Sequence, residues 1–413
     1  MGVLQRSGFT TTHIPLMRRL KQLTKFWLLG GMLLVNLANY GVASVLGRGL
    51  GPAAYAQINV IMTLFGLATL GSSFFQIQAA RASLSLNNHA KLRQLRQIAW
   101  VVGALNGLLC AGLAGFWQNL FGTSPTPLLL LGFGLISYYP LGVERGIMQS
   151  QAAFGRLAGN LLLETMIRLA GAIIVLKLGL GVPSVSAVFA GSLLAAWSLS
   201  YIKPAITENV GSTSQLQPLG PLGLRMLGQG LILNSDLLLV TLWFSQHIAG
   251  QYAALGLIGR LGFFVSSTVA TLGFAKLLRA DKAKTEQRQA FWQSVAMILG
   301  IGIIFSLACW AMPNLLIKGL FGSAYLPIAG VLWRYAAIAG GYAVVNFLVA
   351  YQAAQQRQSG VWLTLGAGLG QVVLLIAAHQ TINHVLNVQA LIMLGLLATV
   401  CLSEWLERTK NRA

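Results

Sequence analysis

The stretch at residues 290–312 reads AFWQSVAMILGIGIIFSLACWAM and contains no charged side chain. A helix of about 20 apolar residues crosses the hydrocarbon core of a bilayer, because it satisfies its own backbone hydrogen bonds there. The rest of the chain is similar, with 56% hydrophobic and only 9% charged residues over 413 positions. We therefore predict an all-α polytopic membrane protein with twelve transmembrane helices, which lie near residues 23–46, 53–79, 97–118, 127–148, 155–177, 183–203, 222–244, 249–275, 290–312, 324–352, 360–378 and 386–406.

The basic residues alternate from one gap between these segments to the next. The chain carries 28 Lys and Arg residues and a formal net charge of +20, and most of the basic residues lie in every second gap and at the two termini. The opposite gaps hold only Arg48, Lys177 and Lys318. Because cytoplasmic loops carry the excess of Lys and Arg, we predict that residues 1–22 and the tail at 407–413 are cytoplasmic. Anionic membrane lipids are the expected partners of these loops, and no nucleic acid is expected.

The two halves of the chain share short motifs at a nearly constant offset. Leu120-Phe121-Gly122-Thr123 precedes the fourth span, and Leu320-Phe321-Gly322-Ser323 precedes the tenth. Tyr55 and Tyr252 lie near the starts of the second and eighth spans. Because six helices return the chain to the same side, the halves are predicted to be parallel repeats. The predicted units are an N-terminal six-helix lobe at 23–203, a cytoplasmic linker at 204–221 and a C-terminal six-helix lobe at 222–406.

A few ionisable residues interrupt the apolar spans. They are costly at membrane depth and therefore face the bundle interior or water. Glu164 and Arg168 are spaced i,i+4 on the fifth span, so they share one face and can pair. Asp236 and Arg260 lie at similar predicted depth on consecutive antiparallel spans, so they can also pair, although an unpaired Arg260 fits the pattern equally well. Arg334 lies in the tenth span, where a long side chain can also reach the outer surface.

The sign of these charges favours an anionic substrate. Arginine is in excess over acids within the spans, and its planar guanidinium group suits phosphate. We predict that Arg260, Arg168 and Arg334 bind substrate in a central lumen, with Arg48 at its outer rim. Asp236 is equally suited to couple an ion or to neutralise Arg260. Glu164 pairs with Arg168 for structure or gating.

The sequence lacks common signatures of catalysis. It has no GxxxxGK[ST] phosphate loop, and its three Cys and five His residues show no metal-ligand spacing. The predicted outer loops are short and do not present a cluster of catalytic groups. We therefore expect a protein that is not an enzyme and that holds no metal or cofactor.

Four motifs resemble polysaccharide flippases of the O-antigen type (Wzx-like). These flippases share a superfamily with MATE multidrug exporters and lipid II flippases. Residues 46–56, LGRGLGPAAYA, resemble the LGR-x-LGP-xx-YG segment that opens the second helix in that family. Residues 234–240, NSDLLLV, resemble its N-x-D-xxx-V segment, and the remaining matches are GQY at 250–252 and LFGSAY at 320–325.

The resemblance implies a MATE-like, V-shaped bundle of two six-helix lobes in the bacterial inner membrane. It implies an undecaprenyl-diphosphate-linked oligosaccharide as substrate, and polysaccharide polymerase or assembly proteins as partners in making O-antigen or lipopolysaccharide. Coupling to a proton or sodium gradient is a further implication. Two alternatives stay open at this point: a cation-coupled drug or small-molecule antiporter on the same fold, and a membrane-embedded glycosyl-transfer enzyme, which the lack of a long outer loop disfavours.

Overall fold

A computed structural model describes residues 14–83, 88–122, 124–203, 219–267 and 284–410, and all regular structure in these ranges is helical. The helices are α1 (Ile14–Ala82), α2 (Asn88–Gly112), α3 (Ala114–Phe121), α4 (Pro125–Ser150), α5 (Phe154–Lys177), α6 (Val182–Ser198), α7 (Leu219–Trp243), α8 (Gln246–Gly259), α9 (Lys284–Ala311), α10 (Pro313–Leu320), a 3-10 segment (Ser323–Val331), α11 (Leu332–Ala354), α12 (Ser359–Ala377) and α13 (Ile382–Lys410).

The helix α1 consists of two spans. Its backbone leaves the helical conformation at Gly51, where φ is 76°, and Pro52 follows directly. Glycine adopts a positive φ without a steric penalty, and proline cannot supply the N–H that would continue the helix. The chain therefore changes direction at the Gly-Pro pair between the first two predicted spans.

The number of spans agrees with the prediction. Ten helices in the described ranges are long and apolar enough to cross a membrane, and the apolar part of α1, Leu33–Ala82, is 50 residues long. That length suffices for two crossings of about 20 residues each. The apolar helix α6 has 17 residues. With α1 taken as two spans and α6 added, the structure is consistent with twelve.

Some predicted boundaries differ from the observed ones. The helix α1 begins at Ile14, within the segment predicted to be a cytoplasmic N-terminal segment, and α13 extends through most of the predicted tail to Lys410. The predicted linker lies mainly outside the described residues, since positions 204–218 are not described. The end of the eighth predicted span, from residue 268 onward, also lies outside them.

The repeat is visible in the backbone. The short helices α3 and α10 each have eight residues and each is followed by a glycine with positive φ, at Gly122 (62°) and Gly322 (95°). Two non-glycine residues with positive φ, Ala152 (54°) and Gln356 (62°), lie in the turns after α4 and α11. Both pairs recur at about the offset of the sequence motifs, so the two halves use the same turns.

The hydrophobic cores follow the two halves of the chain. One cluster of buried side chains extends from Val42 to Ile202, where α1 packs on α4 and α5, and α4 packs on α2 and α6. Two other clusters belong mainly to residues 232–400, where α7 packs on α12, and α9 packs on α11. We call residues 14–203 the first lobe and residues 219–410 the second lobe.

The lobes meet at what we call the closed end, defined by the part of α1 at residues 44–52, which includes the kink at Gly51, and the segment at residues 318–325. The hydroxyl of Ser44 donates to the carbonyl of Leu320, and a guanidinium nitrogen of Arg48 donates to the carbonyl of Lys318 at 2.8 Å. The hydroxyl of Tyr325 donates to the carbonyl of Gly47 at 2.7 Å. Side chains of both lobes therefore donate to backbone carbonyls of the opposite lobe at this end.

Two residues of α8 also contact the first lobe at the closed end. The side-chain Nε2 atom of Gln246, at the start of α8, donates to the backbone carbonyl of Phe121 at 2.8 Å. Gly250 packs directly on α1, because a Cβ atom added there would lie 1.8 Å from the carbonyl oxygen of Pro52. The repeated motifs therefore form the contact between the lobes at this end.

Candidate central cavity

A cavity of about 680 Å³ lies between the lobes. Both spans of α1 line it together with α4, α5 and α6 from the first lobe, and α7, α8 and the helical residues that follow α8 line it from the second lobe. Its wall contains aromatic and aliphatic side chains and a small set of ionisable ones. The ionisable residues are Arg145, Glu164, Arg168 and Arg260.

The first lobe presents one carboxylate between two guanidinium groups. Glu164 of α5 accepts from Arg168 through one carboxylate oxygen and from Arg145 of α4 through the other. All three residues are buried. The predicted i,i+4 pair is therefore present, but it is part of a triad that carries one positive charge in excess.

Further contacts hold both arginines of the triad in place. The Nε atom of Arg145 donates to Asn160 at 2.8 Å, and Asn160 in turn donates to the carbonyl of Ala196 on α6 at 2.7 Å. The Nε atom of Arg168 donates to Ser192 at 3.0 Å. The guanidinium carbon of Arg168 also lies 4.4 Å from the ring centroid of Phe65 and 5.1 Å from that of Phe189. Such stacking favours a cation when water is excluded.

Sequence reasoning missed Arg145 as a cavity residue. By position it resembles a basic loop residue, because it lies near the predicted end of the fourth span at residue 148. The neighbouring Glu144 points another way and forms two hydrogen bonds, of 2.7 and 3.0 Å, with Arg96 of α2. Successive residues of a helix point about 100° apart. Two adjacent charged residues within an apolar span, Glu144 and Arg145, therefore indicate contacts with two different partners.

In the second lobe, Arg260 is paired with the fully buried carboxylate of Asp236. Asp236 of α7 is 0% exposed, and Arg260 donates to its two carboxylate oxygens at 3.0 and 3.2 Å. The hydroxyl groups of Tyr252 and Tyr335 donate to the same carboxylate at 3.0 and 2.8 Å. The structure therefore brings Asp236 and Arg260 together, which was one of the two arrangements that the sequence left open.

Only part of the Arg260 guanidinium group is used by these contacts. The side chain is 11% exposed and lines the cavity, and its hydrogen bonds with the described residues all come from Nη2, including one of 2.5 Å to the hydroxyl of Tyr335. Guanidinium has five N–H donors in a planar fork. Arg260 therefore presents unused donors toward the cavity while Asp236 holds it from behind.

The structure does not bring the other two predicted arginines to this cavity. Arg334 lies on α11, where its guanidinium nitrogens donate to Asn383 at 3.0 Å and to Asn387 at 2.5 Å on α13. It does not line the cavity, contrary to the prediction, because its helix face points toward α13. Arg48 is exposed and bonded to Lys318 at the closed end, so it also lies outside the cavity lining.

The cavity also contains a set of amide side chains that sequence reasoning did not single out. No local motif marks them, because they come from different helices and only the packing of the lobes turns them to one space. They are Asn36, Asn39, Asn59, Gln229 and Asn234.

The fold is similar to those of several solved transporter and flippase structures. A lipid II flippase, MurJ, in an inward closed conformation is similar with a TM-score of 0.72 and 14% identity, over 90% of this chain and 86% of the flippase chain. An inward-facing MATE family multidrug resistance transporter is similar with a TM-score of 0.68 and 14% identity, over 91% of this chain and 94% of the other.

Two further structures have the same fold. The MATE multidrug transporter DinF-BH, in complex with R6G, is similar with a TM-score of 0.66 and 13% identity, over 98% of this chain and 99% of the other. A MOP superfamily transporter from Pyrococcus furiosus, for which a binding pocket of reverse polarity suggests a different function, has a TM-score of 0.59 and 14% identity, over 93% of this chain and 94% of the other.

No protein family description matches the sequence, and no curated protein matches it. The apolar helices and the similarity to the folds of solved transporters together support a multi-pass membrane protein.

Proposed function

We propose that the protein is a flippase that moves an undecaprenyl-diphosphate-linked oligosaccharide across the bacterial inner membrane for surface polysaccharide assembly. The observation that carries this proposal is the charge of the central cavity. Arg145, Arg168 and Arg260 contribute three positive charges, and Glu164 and Asp236 contribute two negative ones. A net positive cavity attracts a diphosphate and repels an organic cation.

The location of the acids strengthens the argument. Glu164 is shared by two guanidinium groups, and Asp236 is completely buried behind Arg260 and two tyrosine hydroxyls. Arg260 lines the cavity and Asp236 does not, while both oxygens of the Glu164 carboxylate are bonded to guanidinium groups. At an effective dielectric constant near 20, two unit charges about 4 Å apart interact by about 4 kcal/mol. Arg260 is therefore the first group that we propose to contact the diphosphate, with Arg168 and Arg145 facing it from the first lobe.

Alternating access follows from the separation of the two lobes. The basic loops predict that both termini are cytoplasmic, which makes the closed end extracytoplasmic and the observed arrangement inward-facing. Rocking of the lobes would break the contacts at the closed end and open the cavity to the other side. The diphosphate and the sugars would cross in the cavity while the polyprenyl tail stays in the lipid.

Asp236 and Glu164 are the proposed gating or ion-coupling residues. A diphosphate that draws Arg260 forward would leave Asp236 with only its tyrosine donors. A buried carboxylate without its cation is costly, so a proton or Na⁺ would then be favoured at that position. This provides a route by which substrate movement and an ion gradient are linked.

The fold alone does not choose between a flippase and a drug transporter, because structures of both kinds share it. The alternative function is a MATE-type cation-coupled antiporter for drugs or other small molecules. It requires the acids to dominate the cavity, and the observed arginine excess disfavours this.

Deletion of the gene separates the two functions. The flippase proposal predicts that the surface polysaccharide is lost, that lipid-linked units accumulate on the cytoplasmic face, and that resistance to cationic dyes is unchanged. Normal polysaccharide together with new dye sensitivity would overturn the proposal in favour of the antiporter.

A further inference from the structure

Five amide side chains line the cavity from both lobes, and the roles assigned above do not use them. We call this set the amide surface, and it consists of Asn36, Asn39, Asn59, Gln229 and Asn234. The first three residues belong to the two spans of α1, and the last two belong to α7 across the cavity. The surface therefore faces the same space as Arg260 but offers neutral donors and acceptors.

The strongest member of this surface is Asn59. It is only 7% exposed, it lines the cavity, and its side-chain Nδ2 atom has no hydrogen-bond partner among the described residues. The hydroxyl of Tyr40, which also lines the cavity, has no partner among them either. A buried polar group without a partner costs about 1–3 kcal/mol, so both groups are disposed to bond with an occupant of the cavity.

The positions on α1 define an extended surface rather than a point. Asn36, Asn39 and Tyr40 are spaced i, i+3 and i+4 before Gly51, so they share one helix face. Asn59 and Thr63 are spaced i, i+4 after the kink. At about 1.5 Å of rise per residue, Asn59 lies about 12 Å and Asn39 about 18 Å along their helices from Gly51.

The opposite side comes close at Asn234. Its Oδ1 atom lies 3.9 Å from the position of a Cβ atom added to Gly66 on α1. Its Nδ2 atom donates to the carbonyl of Gly230 at 2.9 Å, which leaves the amide oxygen as an acceptor toward the first lobe. The ring of Phe264, at the second-lobe edge of the cavity, packs edge-on against Tyr40 with centroids 6.0 Å apart.

We infer that the amide surface is the site that binds the sugar nearest the diphosphate, and that it is built for a neutral sugar. This inference rests on the proposed function. Sugar hydroxyls both donate and accept hydrogen bonds, and amide side chains do the same without adding charge. A cavity that is lined by unpartnered polar groups and by aromatic rings matches the polar rim and apolar face of a sugar ring. The guanidinium groups bind the diphosphate, and the amide surface decides which sugar follows it.

Two probes that differ by one neutral sugar test the inference. They are undecaprenyl diphosphate and undecaprenyl-diphospho-N-acetylglucosamine, and their binding is measured with the full-length protein in lipid nanodiscs. The wild-type protein should bind the sugar-bearing probe more tightly. Asn59→Leu keeps a similar volume and removes the amide, so it should weaken binding of that probe about three- to tenfold and leave binding of the bare diphosphate unchanged.

A second variant covers the case in which Asn59→Leu does not fold, and a control variant tests whether the effect is specific to the cavity. Asn36 is exposed in the cavity wall, so Asn36→Leu should fold even if the substitution at the buried Asn59 does not, and it should show the same selective loss. The control is Asn383→Leu, which removes an amide outside the cavity and should change neither constant.

The outcomes separate the two proposals. If the bare diphosphate binds and the substitutions weaken both probes equally or neither, the sugar site is overturned while the flippase proposal stands. If neither probe binds the wild-type protein, the proposed function fails and the sugar site fails with it.

Discussion

The hydroxyl of Tyr325 lies 2.7 Å from the backbone carbonyl oxygen of Gly47 and donates a hydrogen bond to it. Tyr325 belongs to the second lobe and Gly47 to the first, and they lie in the motifs at residues 320–325 and 46–56. The rings of Tyr55 and Phe321 pack beside this bond, with centroids 5.4 Å apart. The bond therefore reports directly on whether the lobes are together at the closed end.

Removal of this hydroxyl should favour the opposite state. Tyr325→Phe removes a bond worth about 0.5–1.5 kcal/mol, so the ratio of closed to open molecules at this end should fall roughly two- to tenfold. Distances between spin labels on the two lobes measure the shift. Tyr351→Phe is the matched control, because Tyr351 lies far along α11 and packs against Phe291 of its own lobe. An unchanged distance distribution in Tyr325→Phe would show that the bond does not hold the lobes together.

The packing of Gly250 predicts a stronger effect at the same end. A Cβ atom there would lie 1.8 Å from the carbonyl oxygen of Pro52, and backbone cannot move aside as a flexible side chain can. Gly250→Ala should therefore prevent closure and reduce transport while the protein still inserts. Gly300→Ala is the control, because a Cβ atom added at Gly300 meets nothing within 4 Å. Full transport by Gly250→Ala would mean that the observed approach of the lobes is not part of the cycle.

Substitutions of Glu164 and Arg168 in the triad should lower the melting temperature by different amounts. Glu164→Gln leaves Arg145 and Arg168 buried together without a counter-charge, and loss of one partner from a buried ion pair costs about 3–5 kcal/mol. Arg168→Gln leaves a balanced pair of Arg145 and Glu164, so it should lower the melting temperature much less. Thermal unfolding in detergent measures both, with the exposed Arg156→Gln as control. Equal losses for the two triad variants would show that Glu164 does not neutralise both arginines.

Arg260 should be required for transport in addition to its structural role of neutralising the buried Asp236. Arg260→Ala removes the donors that face the cavity, and polysaccharide export in a complemented deletion strain should fall tenfold or more, which corresponds to at least about 1.4 kcal/mol. Arg260→Lys should restore part of the activity, because lysine keeps the charge but lacks the planar fork. The comparison is Arg334→Ala, which lies outside the cavity and should export normally. Normal export by Arg260→Ala at equal membrane abundance would remove Arg260 from the substrate path.

The orientation of the chain is tested by reporter fusions. Fusions after residues 90, 215, 283 and 413 should all report a cytoplasmic position, because these points follow an even number of predicted spans and adjoin the basic loops. A fusion after residue 180, in the short turn between α5 and α6, should report the opposite side. A periplasmic signal at any of the first four positions would contradict the proposed orientation and the inward-facing assignment.

Much of the architecture was predictable because the bilayer imposes a simple rule. A stretch such as residues 290–312 has no alternative to a helix in hydrocarbon, and the Gly51-Pro52 pair marks the break between the first two spans. The i,i+4 spacing of Glu164 and Arg168 also led directly to a contact, since helix geometry alone places them on one face. These predictions depend on residues that are close in the sequence.

The cavity could be predicted only in part, since its residues come from helices far apart in the chain. Arg145 joins Glu164 only because α4 packs beside α5, and Arg334 turns away from the lumen only because α13 offers two asparagines. No spacing rule reports such long-range neighbours. The amide surface is a similar case, because its members are ordinary polar residues until the two lobes face each other.

The sequence by itself determined that this chain is a helical membrane protein with an excess of arginine in its spans, and it predicted two related halves. Hydrophobic length, charge alternation and short repeats are local properties, and the solvent of the bilayer acts on them one segment at a time. Only the tertiary structure decided which arginines share an acid, which one faces the cavity and where the lobes touch, because these depend on the rotation and packing of each helix against distant partners.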